Sequence, residues 1–292
     1  MKVFLTGATG YIGSAVAERL ESGGHEVVGL ARSRESAEAL ESRGFGALRA
    51  SLTDDKALRE AARAADGVIH AAATGGPDQA ETDTRAVGTL LEALEGSGKP
   101  LVYTSGVWVL GDTGDAVADE ETPSKAAELV SWRPAVEERV LAADLRGVVI
   151  RPAVVYGRGG GIPALFVNWG RKRGAVPTIG DGSQRWPAVH VDDLADLYVR
   201  ALEEAPAGTR LHAADGSAHT LREIAEAASH AAGVPGKVEP WPLESAREKL
   251  GAFADALALD QRMSADRART LLGWQPSRPD ILKDLSQGSY AD

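Results

Sequence analysis

Gly7-Ala8-Thr9-Gly10-Tyr11-Ile12-Gly13 sets three glycines at G-x-x-G-x-x-G spacing between an apolar run, Met1 to Leu5, and a helical stretch, Ser14 to Leu20. Glycines in this context let the backbone turn sharply, approach a pyrophosphate closely and pack the helix on the strand. The phosphates then face free N–H groups at the positive end of the helix dipole. The spacing predicts dinucleotide binding; the alternative is a tight turn that needs glycine and binds nothing. An acid about 20 residues further on would hold a ribose 2′-hydroxyl, but the chain reads Leu30-Ala31-Arg32-Ser33-Arg34, with no acid before Glu35. The planar forks of Arg32 and Arg34 suit a 2′-phosphate, and the Ser33 hydroxyl adds a donor. NADP(H) is therefore expected over NAD, unless the arginines merely start a solvated helix.

Residues able to do chemistry lie further along. Ser105 ends an apolar run where open α/β sheets place their sites. It is expected to contact a substrate, the alternative being a strand-end hydroxyl bonded to backbone. Tyr156 is a candidate proton donor, with packing as its other reading. His190 titrates near neutrality but follows Val189 on an apolar strand, so a satisfied buried histidine is expected there rather than a base. Asp192 and Asp193 open a helix, and a cap is expected from at least one of them; Asp54 should cap another. Arg133, just before Pro134, is read as an anion anchor or a solvated side chain. Trp108, Phe166, Trp169 and Trp186 are read as an aromatic substrate pocket or as core. The six histidines form no H-E-x-x-H or comparable cluster, so no metal is expected.

The elements that must position these residues alternate as α/β units. Strands are expected at 2–6, 26–31, 46–50, 67–71, 100–105 and 147–152, with helices at 12–22, 34–43, 54–64, 80–95 and 126–143. Gly147-Val148-Val149-Ile150 has the continuous apolar character of a buried parallel strand. A glycine loop at 159–161 precedes a helix over 162–174, and a strand near Arg210-Leu211-His212 is expected to return to the main sheet. The fold class is thus α/β, a doubly wound parallel (Rossmann) sheet over 1–157 with 188–215 returning to it. Residues 158–187 and 216–292 are assigned to a smaller substrate-binding lobe, and the tail from Ser286 is expected to fray.

The glycine segment, with Thr6 before it, resembles the extended, epimerase/dehydratase-like branch of the short-chain dehydrogenase/reductase superfamily. Further segments are similar in the same order: Asp66-Gly67-Val68-Ile69-His70-Ala71-Ala72-Ala73, Val102-Tyr103-Thr104-Ser105-Gly106, Arg151-Pro152-Ala153-Val154-Val155-Tyr156-Gly157 and Trp186 to Ala195. The resemblance implies cofactor contacts along Gly7, Ala8, Thr9, Gly10, Tyr11, Ile12 and Gly13, then Arg32, Ser33, Arg34, Ser51 and Leu52. It extends them to Ala71, Ala72, Ala73, Thr104, Pro152, Val154 and Val155. That family often has Asp at the Ser51 position, so the adenine contact is expected to be weakened.

The family's Tyr-x-x-x-Lys pair is missing, since none of the five tyrosines has Lys four residues later. By placement Trp132 and Val136 occupy those positions, and Arg85 stands where the family has Asn. This pattern is similar to atypical members whose fold and cofactor site persist while the active site is rebuilt. Ser105, Trp132 (as a wall or stacking surface) and Tyr156 are the expected active-site residues. The function expected is an NADP(H)-dependent oxidoreductase acting on a carbonyl or alcohol of a small molecule. A non-redox isomerase, epimerase or dehydratase-like enzyme and a non-catalytic NADP(H) sensor are the alternatives.

Bulk composition fits this reading. The chain has 292 residues, 43% hydrophobic and 25% charged, and no cysteine, which excludes disulfides and thiol nucleophiles. A net charge of −10 argues against a nucleic-acid surface. No apolar run approaches the roughly 18 residues that span a membrane. No charged-and-apolar leader is seen, so a cytoplasmic protein is expected. The resemblance further implies a homodimer through the helices at 80–95 and 126–143, with Leu129, Val136 and Val140 supplying apolar spacing.

Overall fold

The computed structural model describes residues 1–291. The first half alternates strand and helix: β1 (Lys2–Thr6), α1 (Tyr11–Ser22), β2 (Glu26–Ala31), α2 (Arg34–Glu41), β3 (Gly46–Arg49), α3 (Asp55–Ala64), β4 (Gly67–His70), α4 (Gln79–Leu94) and β5 (Pro100–Thr104). After a long connection with 3₁₀ turns at Val107–Leu110 and Glu128–Val130 come α5 (Arg133–Leu141) and β6 (Arg146–Pro152). Then follow β7 (Val154–Tyr156), α6 (Gly161–Arg173), β8 (Val176–Ile179), β9 (Arg185–His190), α7 (Val191–Glu204) and β10 (Thr209–Ala213). The last stretch holds β11 (Ala218–Thr220), α8 (Leu221–Ala231), β12 (Val238–Trp241), α9 (Leu243–Leu250), α10 (Ala252–Leu257), α11 (Asp266–Leu272) and α12 (Ile281–Gln287).

Seven strands form one sheet in the order β10-β6-β5-β4-β1-β2-β3, every pair parallel. Because side chains alternate across a strand, each strand feeds two cores. Val3, Leu5, Ile69, Val102, Val148 and Ile150 pack on the face covered by α1 and α7. Phe4, Val68 and Leu101 meet α3 and α4 on the other face, where Tyr103 and Val149 join Val136 and Val140 of α5. Helices on both faces explain why the strands are continuously apolar. The chain order reverses between β1 and β4, and such a switch point opens a crevice at the C-terminal strand ends.

The smaller lobe contains the three-stranded sheet β11-β9-β7, the pair β12-β8, and helices α6 and α8. Phe166, Trp169 and Trp186 are core here: Phe166 meets Trp169 at 5.0 Å and Trp186 at 5.6 Å, edge to face, and Trp169 meets Trp241 at 5.9 Å. Of the four aromatics read as a pocket, only Trp108 reaches the cavity described below.

Four further expectations change. The helix expected over 126–143 begins only at Arg133, with Pro134 in its first turn, where a missing N–H costs nothing. Val136 and Val140 are buried within their own subunit and Leu129 lines a cavity, so these residues form no exposed apolar stripe for a dimer. Met263, Ala265, Ala268, Leu272 and Trp274 pack into the sheet's core, not the lobe, and the Trp274 Nε1 donates to the carbonyl of Asp193 at 2.8 Å. The tail is anchored instead of frayed, since Tyr290 is buried, accepts from Gly157 N–H and donates to the Gly160 carbonyl. No helix among the described residues is long and apolar enough to cross a membrane.

Candidate active site

The glycine turn forms the floor of the crevice. Gly7 has φ +78, and a Cβ there would lie 2.6 Å from the Ala71 carbonyl oxygen; a Cβ on Gly13 would lie 2.0 Å from the Gly7 carbonyl oxygen. The sequence must therefore use glycine for α1 to start this close to β1 and β4. Gly10 is the N-cap of α1, no side chain caps it, and its first turn carries no acid. Uncompensated N–H groups at a positive dipole end suit a pyrophosphate, so these residues fit a dinucleotide. Thr9 and Gly10 are exposed along this edge, whereas Ala8 and Leu52 are buried beneath it.

At the end of β2, Arg32 is exposed and has no hydrogen-bond or ion-pair partner among the described residues. Arg34 differs: it is 82% exposed and its Nε pairs with Glu38 at 2.6 Å, one helical turn on. Ser33 caps α2 by accepting from Ser36 N–H, and Asp54 caps α3. Ser51 is turned onto Thr53, 2.8 Å from its hydroxyl. Arg85 holds Asp55 bidentately at 3.0 and 2.9 Å on the surface, away from the crevice, and keeps that carboxyl below its ordinary range.

Beyond the glycines a cavity of about 360 Å³ lies between the strand ends and the lobe. Tyr11 and Ile12 of α1, Ser105 and Gly106 after β5, Pro152 to Val155 around the β6–β7 junction, Ile162 of α6 and Phe253 of α10 line it. Val107, Trp108, Leu129 and Val130 complete an apolar wall, and Gln79 and Arg133 add polar groups. Ser105 is 3% exposed, and its Oγ is buried with no hydrogen-bond partner. Arg133 donates through Nη1 to the Ser105 carbonyl, while its Nε has no partner. A buried hydroxyl without a partner is costly and marks a place where a ligand group is missing.

The other expected site residues stand apart from this cavity. Tyr156 is fully buried in the lobe core and donates to the Pro279 carbonyl at 2.8 Å; burial raises its pKa, with Asp215 adding to the effect. Neither geometry nor acidity suits it to proton transfer. Trp132 is no wall of the cavity either, because it caps α5 and its Nε1 donates to Asp83 Oδ2 at 2.8 Å. Thr104 is held by the Tyr198 hydroxyl at 2.6 Å. His190 is the N-cap of α7, accepting from Asp192 N–H, and burial lowers its pKa. The caps expected of Asp192 and Asp193 are thus unnecessary. Asp192 pairs with Arg158 at 2.7 Å, and Asp193 accepts from the backbone of Ser277 and Arg278.

Beside the cavity lies a node that sequence reasoning missed. Asp83 of α4 accepts from Tyr103 OH at 2.7 Å and from Trp132, and faces His70 Nε2 at 3.0 Å. The other ring nitrogen of His70 faces the Thr6 hydroxyl at 2.8 Å. Burial works against the carboxylate, but the donors outweigh it and hold Asp83 below the usual range. The node ties β1, β4, β5 and α4 to the start of α5, and hence to Arg133. No sequence signal marked it, because its members lie 13 to 64 residues apart.

Comparison with known proteins follows the same lines. The chain matches the model of the NAD dependent epimerase/dehydratase family over residues 3–213, and it belongs to that family. It is 34% identical to an uncharacterized protein of Saccharomyces cerevisiae over 98% of both chains. It is 31% identical to a 3-diazoavenalumate denitrifying reductase of a Streptomyces species, covering 96% of this chain and 97% of that one. Among solved structures, a Thermus thermophilus UDP-glucose 4-epimerase in complex with NAD superposes with a TM-score of 0.80 at 23% identity, over 100% of this chain and 98% of that one. The likeness to that structure is one of fold.

Proposed function

We propose that this protein is an NADP(H)-dependent oxidoreductase of the cytoplasm that acts on a carbonyl or alcohol group of a small molecule. The observation that carries the reading is the buried, unpartnered Ser105 Oγ on the wall of an otherwise apolar cavity, beside Arg133. In this reading the 7–13 backbone holds the pyrophosphate, the unpaired Arg32 takes the 2′-phosphate, and Pro152, Val154 and Val155 flank the nicotinamide. The bound dinucleotide supplies or accepts a hydride. Ser105 and Arg133 donate hydrogen bonds to the substrate oxygen as charge develops on it, and the proton exchanges with water. Preorganised donors of this kind lower the barrier because they need no reorganisation when the charge appears.

A dehydratase, or an epimerase that deprotonates carbon, would need a side chain able to take a proton from carbon, which water does not do readily. Among the described residues the cavity offers only Tyr11 as a titratable acid, and that hydroxyl is spent on the Gly157 carbonyl at 2.8 Å, its pKa raised by burial. This favours hydride transfer alone. The test is fluorescence titration with NADPH and NADH, followed by cofactor consumption over a broad carbonyl panel. Tighter NADPH binding with consumption is expected. Equal affinities would overturn the cofactor preference, and binding without any consumption would favour a sensor.

A further inference from the structure

We infer that the substrate of this site is a small, neutral, largely apolar aldehyde or ketone bearing one polar oxygen, and not a nucleotide sugar. The inference rests on the oxidoreductase reading and adds the substrate class to it. At about 360 Å³ the cavity is near the bottom of the range of about 300–1,000 Å³ for ligand sites, and it must also admit the nicotinamide end of the cofactor. Only a small molecule has room beside that group. Trp108 and Phe253 close one side in an edge-to-face pair, 5.8 Å between centroids at 73°, and Val107, Leu129 and Val130 continue the apolar wall.

Charge decides against a diphosphate. Arg133 is the one charged side chain among the described residues on the wall, and one of its N–H groups is already engaged with the Ser105 carbonyl, so a single guanidinium would face two phosphates. Arg185 and Arg262 offer no second cation. Arg185 is held by Asp260 at 2.8 and 2.5 Å and by Asp115 at 3.1 Å, and Arg262 also pairs with Asp115, at 3.2 Å. A diphosphate in this cleft would lose its hydration without gaining a second cation.

The same accounting argues for a neutral molecule with one oxygen. Ser105 Oγ and the spare N–H groups of Arg133 make one polar patch, sufficient for the reacting oxygen. A carboxylate seated on Arg133 would take the donors that this oxygen needs. Among the side chains of the described residues a second buried polar group would find only Gln79, and an unmet one costs roughly 1–3 kcal/mol.

The full chain with NADPH is tested against benzaldehyde, acetophenone, phenylpyruvate and UDP-glucose, following cofactor consumption and, separately, ligand binding by saturation-transfer NMR. Benzaldehyde and acetophenone are expected to bind and be reduced, with kcat/KM at least tenfold above phenylpyruvate, while UDP-glucose does not bind. Phe253→Trp, which narrows the cavity, should lower kcat/KM for acetophenone at least tenfold relative to benzaldehyde and leave NADPH affinity unchanged. Leu129→Phe makes the same test from another element if the first variant folds poorly. Preferred binding of phenylpyruvate or UDP-glucose overturns the substrate class while leaving hydride transfer standing. Neutral carbonyls that bind without NADPH consumption support the ligand class and overturn the oxidoreductase reading. Failure of both neutral carbonyls to bind overturns the inference.

Discussion

Ser105 and Arg133 are 28 residues apart, yet the Arg133 guanidinium rests on the Ser105 carbonyl and leaves the Ser105 hydroxyl free for a ligand. If that hydroxyl positions the reacting oxygen, Ser105→Ala should lower kcat by on the order of 10²–10³, the usual cost of losing one placed donor. NADPH affinity should stay nearly constant, since in the proposed reading the glycine loop would hold the phosphates, away from Ser105. Steady-state kinetics with a parallel fluorescence titration separates the two effects, and a variant with unchanged turnover would move the reaction away from Ser105. Arg32 belongs to the same scale. A contact from it to a 2′-phosphate would lie at an exposed edge, so the gain would sit at the low end of a charged hydrogen bond, roughly 1.5 kcal/mol or about tenfold. Arg32→Ala is expected to weaken NADPH about tenfold and leave NADH unaffected, whereas Arg34→Ala should do little because Arg34 is committed to Glu38.

Among the elements, α5 matters most, because its start fixes Arg133. Pro134 stops the helix from extending backwards, and Trp132 anchors its cap to Asp83 on α4. The half-buried carboxylate serves donors from three elements, so Asp83→Ala strands Tyr103, Trp132 and His70 together. Each unmet buried donor costs about 1–3 kcal/mol, and a loss of about 3 kcal/mol or more in denaturant unfolding is expected. Asp83→Asn keeps one acceptor oxygen and should lose roughly half as much. Should the Asn variant match wild type in both stability and turnover, the node would have no part in holding α5.

For the molecule as a whole, acid should be destabilising, and the cause lies at the sheet edge. His212 on β10 is fully enclosed, and its Nδ1 lies 3.1 Å from the Ser264 carbonyl. Burial, aided by the Arg151 guanidinium, brings its pKa down from 6.5 to about 3. Arg151 is itself locked to Glu137 at 2.6 Å, both buried. The unfolded chain binds the proton more readily than the folded one, so this contribution is whole above pH 6.5 and is lost as pH falls towards 3. Between pH 6.5 and pH 5 the loss through this group is about 2 kcal/mol. His212→Gln should flatten that slope in urea titrations, leaving the part due to His190, whose pKa burial also lowers. An unchanged slope would mean that His212 is solvated.

The sequence by itself determined the sheet and its glycine-lined edge. Strand and helix bounds fell within a residue or two across most of the first half, because helices on both faces force continuous apolar strands, and Gly7 and Gly13 are dictated by backbone clashes within a few residues of chain. Local constraints leave local marks. The cavity was legible only in part: Ser105, read from its strand end, lies on the wall, whereas Tyr156 and Trp132 do not. Whether a tyrosine at the end of β7 faces the cavity or the lobe depends on Pro279, more than a hundred residues away. Asp83, Gln79 and Phe253 carry no motif, and their places follow from how α4 and α10 pack. Tertiary structure alone decided which polar atoms were already satisfied, and at the cavity wall it left Ser105 Oγ and Arg133 Nε without partners. Hydrogen-bond satisfaction is a sum over distant neighbours, and no spacing along the chain contains it.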